Sequence, residues 1–370
     1  MVPMSYRVHR DYLADGREII FIDDPVSALS AERKRDLRDL PARPETAEMR
    51  QDPLTGEWIS IAAARQHRVH LPPPDADPLA PQSPDNPSEV PEDYDVVVFE
   101  NRSPSFGPLS TSLGADQGAV LSDIGFGRAF PAVGRCEVVS FSPDREGSFG
   151  SLHPTRARTV LEAWAMRTRS LMEMESVEQV LCFENRGTEI GVTLGHPHGQ
   201  IYAYPFVTPR TAALLKSIER VGEDFFARLL DFERTGPRVV ATTASFSAFV
   251  PFAARWPLEI HILPHRQVAS LAELTPEELD ELAPLYLELI RCFDRLYDTP
   301  TPYIAAWHQA PKSAIPHTVR VMAQITSPRR ASDKLKYLAG SESAMGAFIG
   351  DVTPESQAEA FRQVIDESFQ

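Results

Sequence analysis

The sequence predicts an α+β protein built from two similar halves, each a mostly antiparallel sheet with packed helices. A strand, a helix and further strand occur twice, about 120 residues apart, which indicates a tandem duplication. The elements do not follow the strict β–α–β alternation of a parallel sheet, so antiparallel pairing is expected. The predicted halves are residues 1–208 and 209–370.

The first half contains three predicted strands and one helix. Asp95–Asn101 and Arg135–Ser142 are apolar runs of strand length. Pro154–Met174 places its large apolar residues at helical spacing, along one side. Val177–Phe183 follows as a mostly apolar run, which predicts a buried strand.

Two stretches of the first half predict loops. Leu71–Glu92 is rich in proline and aspartate, which favours an extended loop between structured parts. Ser103–Gly134 is rich in glycine and serine and has weak periodicity. We expect a long mobile loop there, of a length often found in functional lids or disordered segments.

The second half echoes the first. The predicted strand Leu258–Pro264 resembles Glu137–Pro143, and further strands are expected at Tyr303–Trp307 and Val319–Ile325. Between them, Thr275–Glu278 has the pattern of a capping box, with proline at the first helical position.

That capping box opens a helix predicted to run through about Tyr297. Pro284 lies inside the helical pattern, so a kink is expected there. The helix therefore occupies the same place in the second half as Pro154–Met174 does in the first.

Composition narrows the class of protein. The 370 residues are 42% hydrophobic, which is enough for a large core or two domains. The net charge of −15, without a long basic cluster, argues against nucleic acid as the main partner. There is no apolar run long enough for a membrane span and no apolar signal core at the N-terminus, so we expect a cytoplasmic protein.

Three cysteines, Cys136, Cys182 and Cys292, lie far apart in largely apolar surroundings. None of them forms a CxxC pair. The pattern predicts buried, reduced thiols.

The segment Gly195–Gln200 reads Gly-His-Pro-His-Gly-Gln. Proline restricts the residue before it to an extended conformation, so His196, His198 and Gln200 are expected to project from one face. Imidazole can act as a nucleophile toward phosphorus, and an amide can donate to a phosphoryl oxygen. The alternative interpretation is two structural histidines in a loop.

The residues around this segment carry a family resemblance. Phe183–Gly187 and Gly191–Ala203 resemble the active-site region of the galactose-1-phosphate uridylyltransferases, a family of the histidine-triad superfamily. Further matching motifs cover most of the chain: Asp52–Trp58, Val97–Asn101, Pro302–Pro311 and Lys334–Glu342. The resemblance implies tandem histidine-triad-like domains and a homodimer.

The resemblance also implies an activity. Members of the family transfer UMP from UDP-glucose to galactose 1-phosphate by a ping-pong route, with the second histidine of His-Pro-His as nucleophile. That residue is His198 here, and Gln200 would stabilise the developing charge. The implied partners are a nucleotide sugar and a sugar 1-phosphate.

Seven further residues align with family residues that contact substrate. Two arginines are expected at phosphate, across the dimer interface, although a solvated basic edge is the alternative. Two asparagines are expected near the nucleotide, a threonine near the phosphate, and a lysine and a glutamate on the sugar side. In that order, these residues are Arg65, Arg68, Asn101, Asn185, Thr193, Lys336 and Glu342.

Many family members bind zinc through a CxxC pair, a distant histidine and the first histidine of His-Pro-His. Here the CxxC region reads Asp77–Ala80, the distant position is Arg145, and only His196 remains. One histidine and one aspartate do not make a structural zinc site. We predict no zinc, and a role for His196 in positioning the nucleophile.

The family's second metal site needs three histidines and a carboxylate. His308 remains, but Met322 and Gln324 occupy the positions of the other two histidines. No acidic residue lies at the carboxylate position, near Leu214 and Leu215. We predict that this site is lost, that no cofactor is bound, and that His308 is structural.

These departures leave two other functions open. The first is transfer of a nucleoside monophosphate, from a triphosphate or another nucleotide sugar, to a different sugar 1-phosphate. Ser341, where the family usually has tyrosine, allows for that. The second is a nucleotide-binding protein without catalysis, which the intact His-Pro-His-Gly-Gln argues against.

Overall fold

A computed structural model describes residues 6–41, 43, 47–63, 76–108, 122–123 and 126–369. The strands described are β1 Arg7–Tyr12, β2 Glu18–Asp23, β3 Glu48–Gln51, β4 Trp58–Ile61, β5 Val96–Glu100, β6 Ser122–Asp123, β7 Arg128–Pro131, β8 Arg135–Ser140, β9 Gln179–Arg186, β10 His198–Tyr204, β11 Val239–Thr242, β12 Phe246–Phe249, β13 Leu258–Pro264, β14 Tyr303–His308, β15 Met322–Ser327, β16 Arg329–Ala331 and β17 Lys334–Leu335. The helices are α1 Pro154–Met172, α2 Pro209–Val221, α3 Phe225–Arg234, α4 Pro276–Arg295, α5 Gly340–Met345 and α6 Pro354–Val364.

The main sheet has eleven strands in the order β1-β2-β5-β8-β10-β9-β14-β15-β13-β12-β11. All its neighbouring strands pair antiparallel, so the predicted α+β class and antiparallel pairing are confirmed. At its centre β9 pairs with β14, and the sheet continues across the boundary predicted between residues 208 and 209. Outward from this pair, the two halves repeat one strand pattern.

Strand register shows which residues of the two halves correspond. Both β8 and β13 lead into a proline, Pro143 and Pro264, so Ser140 corresponds to His261. On the neighbouring strands, His198 lies opposite Ser140 and Gln324 lies opposite His261. Gln324 therefore occupies the place in the second half that His198 occupies in the first.

Helices α1 and α4 pack against each other on one face of the main sheet. Their inward residues join the strands in a core that contains Phe149, Trp164, Tyr286 and Trp307, all fully buried. Helix α6 packs into the same core at the β11 end of the sheet. Burial of these aromatic surfaces stabilises the junction of the two halves.

The opposite face of the main sheet is covered differently in each half. Over the first half lies the segment 76–94, whose Leu79, Val90 and Tyr94 pack on Phe99 and its neighbours. Over the second half lie α2 and α3, which pack on Phe249 and its neighbours. Alternate strand residues point to this face, and they include those that line the cavity described below.

The structure describes part of each of the two predicted loops. The described residues 76–92 form only isolated bridges and no helix or named strand, as expected for a loop. The expectation of one long loop over 103–134 is wrong in part, because β7 pairs with β3 in a four-stranded sheet, β4-β3-β7-β6. Residues 109–121, 124 and 125 lie outside the described residues.

Helix α4 begins as predicted. The backbone N–H of Glu278 donates to Thr275 Oγ1 at 3.2 Å, and the backbone N–H of Thr275 donates to Glu278 Oε2 at 2.9 Å. These reciprocal bonds satisfy two backbone donors that a helix start leaves free. The helix continues through Pro284 and ends at Arg295, two residues before the predicted end.

The described cysteines Cys136, Cys182 and Cys292 are buried thiols that form no disulfide bond with one another, as predicted. Burial raises the pKa of Cys182 and of Cys292 to about 12, which makes both thiols inert. Among the helices of the described residues, none is long and apolar enough to cross a membrane.

Candidate active site

A cavity of about 550 Å³ opens on the first half of the main sheet. Strands β5, β8, β9 and β10 form its floor, and the turn 191–194 forms part of its wall. Five of the predicted site residues line it: Asn101, Asn185, Thr193, His198 and Gln200.

Strand β10 places two of these side chains on the floor. His198 and Gln200 lie on the cavity face, and Gly199 between them is buried. A Cβ on Gly199 would lie 2.9 Å from the ring of Phe141 and 2.9 Å from the carbonyl oxygen of Phe183. Such contacts are too close for any other residue, so glycine allows β10 to lie tightly between its neighbours.

The ring of His198 is held in one tautomer. Its Nδ1 lies 2.7 Å from the carbonyl oxygen of His196, which can only accept a hydrogen bond. Nδ1 therefore carries the proton, and Nε2 keeps a lone pair. Burial, and then the nearby His196, lower the pKa of His198, so the ring is neutral at neutral pH.

His196 does not share the cavity face, contrary to the expectation for the motif. It precedes β10 and is almost fully buried. Its Nδ1 lies 2.7 Å from Asp77 Oδ2, and its Nε2 lies 2.7 Å from the carbonyl oxygen of Ser142. These two contacts turn the ring into the protein, beneath the segment that carries Asp77.

Lys336 and Glu342 do not line the cavity with His198. Lys336 Nζ lies 2.7 Å from Glu342 Oε1, and both side chains are buried. Lys336 also donates to the backbone carbonyls of Arg255 and Ile349. This ion pair therefore stabilises the β17–α5 segment of its own chain. Arg65 and Arg68 lie outside the described residues.

Sequence reasoning missed an arginine at the cavity. Arg102 directly follows Asn101, lines the cavity and is half-buried. In the described part of the chain, no carboxylate lies within ion-pair distance of it, whereas Arg17 in the same wall is paired with Asp15 and Glu89. The Val97–Asn101 motif ends one residue before Arg102. This position next to a motif was the sequence signal that could have identified Arg102 as a site residue.

The second half holds a smaller cavity of about 400 Å³, lined in part by Arg210, His261 and His308. Here Gln324 Oε1 lies 3.1 Å from His308 Nε2, and Gln324 Nε2 donates to Glu259 Oε1 at 2.6 Å. Within the described residues, no three His, Cys, Asp or Glu side chains stand where they could hold a metal ion. This donor set does not fit the family's second metal site.

Both parts of the chain match one family. Residues 39–208 match the family described as galactose-1-phosphate uridyl transferase, N-terminal domain. Residues 217–368 match the corresponding C-terminal domain.

The relatives are similar over most of their length. The galactose-1-phosphate uridylyltransferase of Streptomyces lividans is 45% identical over 310 residues, covering 81% of this chain and 79% of that protein. The one from Thermotoga maritima is 35% identical over 328 residues, covering 85% and 98%. A solved uridylyltransferase structure superposes with a TM-score of 0.75 at 32% identity, covering 86% of this chain and 98% of that one.

Proposed function

Because the chain belongs to the galactose-1-phosphate uridylyltransferase family, we propose that it transfers UMP from UDP-glucose to galactose 1-phosphate. One observation carries the proposal: the neutral imidazole of His198, fixed in one tautomer at the floor of a cavity of about 550 Å³. A cavity of this size is in the range that binds small ligands.

In the first step, the lone pair of His198 Nε2 attacks the α-phosphorus of UDP-glucose. A P–N bond forms, the bond from phosphorus to the bridging oxygen breaks, and glucose 1-phosphate leaves with that electron pair. The His198 Nδ1 proton stays on the ring, shared with the carbonyl oxygen of His196. A neutral nucleophile avoids the repulsion between two anionic phosphates.

In the second step, a phosphate oxygen of galactose 1-phosphate attacks the same phosphorus. The P–N bond breaks, its electron pair returns to His198 Nε2, and UDP-galactose is released. No proton is gained or lost by the ring over the cycle. The reaction therefore requires that His198 stay in one tautomer throughout the cycle, and it requires no separate group to shuttle protons.

The other cavity residues would hold the substrate. Gln200 lies two residues beyond His198 on the same face, where its amide can donate to a phosphoryl oxygen. Arg102 can add a planar, charged donor to the diphosphate. Asn101, Asn185 and Thr193 supply neutral polar groups around it.

We also propose a homodimer in which the second subunit adds to the site. Lys336 and Glu342 lie away from His198 within one chain. Next to them, Tyr337 is 74% exposed and Leu338 is 50% exposed, an unusual pair of apolar side chains to leave in water. Light scattering coupled to size exclusion tests the dimer, and a monomeric active enzyme would contradict it.

A different acceptor or donor is the second candidate. Ser341 lies where the family usually has tyrosine, and its hydroxyl bonds the backbone carbonyl of Ala347 at 3.1 Å. A serine there is bound to its own segment and reaches less far than tyrosine. The favoured acceptor could then be a sugar 1-phosphate other than that of galactose.

Intact-protein mass after incubation with UDP-glucose tests the proposal. We expect a gain of one UMP that is absent in His198→Ala, and loss of that mass when galactose 1-phosphate is added. Label that persists with galactose 1-phosphate but is lost with another sugar 1-phosphate would identify the second candidate. No label from any nucleotide sugar or nucleoside triphosphate would instead favour a binding protein.

A further inference from the structure

The carboxylate of Asp77 makes a buried contact with His196. Asp77 lies in the segment 76–94, its Oδ2 is 2.7 Å from His196 Nδ1, and its Oδ1 accepts from the backbone N–H of Leu79 at 2.9 Å. On its other side, His196 Nε2 lies 2.7 Å from the carbonyl oxygen of Ser142. His196 is 3% exposed and Asp77 is 7% exposed, so water does not compete for these bonds.

These contacts fix the charge of the ring. A carboxylate and a backbone carbonyl can only accept, so both nitrogens of His196 are placed to donate. The hydroxyl of Tyr94 lies 3.3 Å from Nε2, but the carbonyl oxygens of Leu79 and Ser142, each at 2.7 Å, are nearer acceptors for its proton. With both nitrogens protonated the ring carries a positive charge, and Asp77 is its counter-ion. Burial alone would raise the pKa of Asp77, but the hydrogen bonds from His196 and from the backbone N–H of Leu79, with the charge of the His196 ring, outweigh burial and lower it.

The ion pair connects directly to the nucleophile. The carbonyl oxygen of His196 accepts the Nδ1 proton of His198 at 2.7 Å. The adjacent Pro197 carbonyl accepts from the backbone N–H of Phe141 at 3.1 Å. The ring of His196 and the backbone around it are therefore tied to two different elements, so the acceptor for His198 has little freedom to move.

Among the residues that the structure describes, no position remains here for a metal ion. Zinc would need a lone pair on one nitrogen of His196, and both nitrogens carry protons directed at oxygen. The residues of segment 77–80 other than Asp77 offer no ligand side chain. The zinc that the family resemblance implies does not fit this site.

We propose that Asp77 is a positioning residue for the nucleophile, and that its ion pair with His196 stands in place of a metal ion. Asp77 holds the ring of His196, the backbone of His196 holds the His198 tautomer, and that tautomer directs Nε2 to phosphorus. The catalytic role of this chain of contacts rests on the function proposed above, whereas the contacts themselves are observed whatever that function is.

Asp77→Asn tests the proposal, because it removes the charge and keeps the shape. We expect single-turnover labelling of His198 by UDP-glucose to slow by about 10- to 100-fold, the range seen when an orienting partner of a functional histidine is removed. Binding of UDP-glucose, measured by calorimetry with His198→Ala and with His198→Ala/Asp77→Asn, should be unchanged. Asp85→Asn makes the same change on the exposed part of the segment and should label at the normal rate.

Three measurements on the unmodified chain keep the proposal testable if Asp77→Asn does not fold. Elemental analysis should find no stoichiometric zinc, and labelling should survive treatment with a chelator. Imidazole NMR with isotope-labelled histidine should show both nitrogens of His196 protonated, and only Nδ1 protonated in His198.

Normal labelling by folded Asp77→Asn, or zinc whose removal abolishes labelling, would overturn the proposal. So would a neutral His196 ring in the NMR spectrum. Failure of the proposed function has a different signature: the unmodified chain would take no label, while the NMR spectrum would still report the two rings as described.

Discussion

The two cavities lie at corresponding places on one face of the main sheet. They differ in the side chain that stands at the corresponding positions of β10 and β15. In the first half, His198 presents a nitrogen lone pair to open space. In the second half, Gln324 stands at the corresponding register, with its amide committed at both ends to Glu259 and His308. The same backbone frame therefore supports a histidine with a free ring nitrogen in one half and a closed polar network in the other.

The difference lies in the partners of each side chain more than in the fold. In His198, Nδ1 donates a hydrogen bond to the backbone, and Nε2 keeps its lone pair. Gln324 satisfies a buried carboxylate. Burial alone would raise the pKa of Glu259, but hydrogen bonds from His261, from the backbone N–H of Arg255 and from Gln324 outweigh burial and lower that pKa to about 2. A buried charge needs such partners, so the second half uses for stability the place that the first half gives to the proposed nucleophile.

The largest expected effect separates the two corresponding residues. His198→Ala should abolish both covalent labelling and transfer, because no other described residue that lines the cavity carries an imidazole to form the P–N bond. Gln324→Ala should retain labelling at near the normal rate. Both are measured by intact mass with UDP-glucose. If Gln324→Ala loses label while still folded, the two halves are functionally coupled and the comparison fails.

The next effect concerns Gln200. Gln200→Ala should slow turnover by a factor on the order of 10², because a donor to the developing phosphoryl charge is lost. The matching test in the second half is thermal denaturation of Gln324→Ala. This variant leaves Glu259 without one hydrogen-bond donor, so its free energy of unfolding should fall by about 1–3 kcal/mol. Thus Gln200→Ala should lose turnover rate and keep its stability, whereas Gln324→Ala should lose stability and keep its turnover rate.

A smaller effect is expected for the arginines, one at each cavity. Arg102→Gln should raise the dissociation constant of UDP-glucose by about 10-fold, the loss of one charge-assisted hydrogen bond. Arg210→Gln, the matched change in the second cavity, should leave that constant unchanged. Calorimetry in the His198→Ala background measures both. Equal losses would place the diphosphate elsewhere.

The smallest effect is on the pH dependence of stability. Burial, and then the charge of Arg210, lower the pKa of His308 to about 4. The unfolded chain binds a proton at His308 near its ordinary pKa, and the folded chain resists it. Stability from this group is therefore complete above about pH 6.5 and is lost as the pH falls toward 4.

Melting temperatures of the unmodified chain and His308→Gln, taken between about pH 7 and pH 5, measure that contribution. The variant should show the flatter curve over this window. His317→Asn, which changes an exposed histidine at a left-handed backbone position that asparagine tolerates, should follow the unmodified chain. Parallel curves for all three would mean that His308 is not the group that titrates.

The sequence predicted the parts of the fold that local signals determine. The strand at Leu258–Pro264 and the start of α4 at its capping box were predicted at the observed residues. The pairing of β9 with β14 was not foreseen, because it depends on two strands that lie far apart in the chain. The short strand β7 was also missed, since a run of four residues in a glycine-rich stretch gives little periodicity.

The candidate site was predictable to a similar degree. His198, Gln200 and the two asparagines follow from the motifs, and the structure brings them to one cavity. The direction of the His196 ring was not predictable, because it is set by Asp77 and Ser142 from other segments. For Lys336 and Glu342, the motif match predicted a role at the substrate. In the structure they form an ion pair with each other and do not line the cavity with His198.

The central pairing of β9 with β14 also has a consequence for the integrity of the chain. Strand β9 carries Asn185 and forms part of the cavity floor, and its outer hydrogen-bonding groups are covered by β14. A chain cut after residue 208 would leave β9 as an open edge, eight residues long, next to β10, which begins at His198. Exposed edges of that length invite pairing with other chains, so the fragment with every cavity-floor residue should aggregate before it could act.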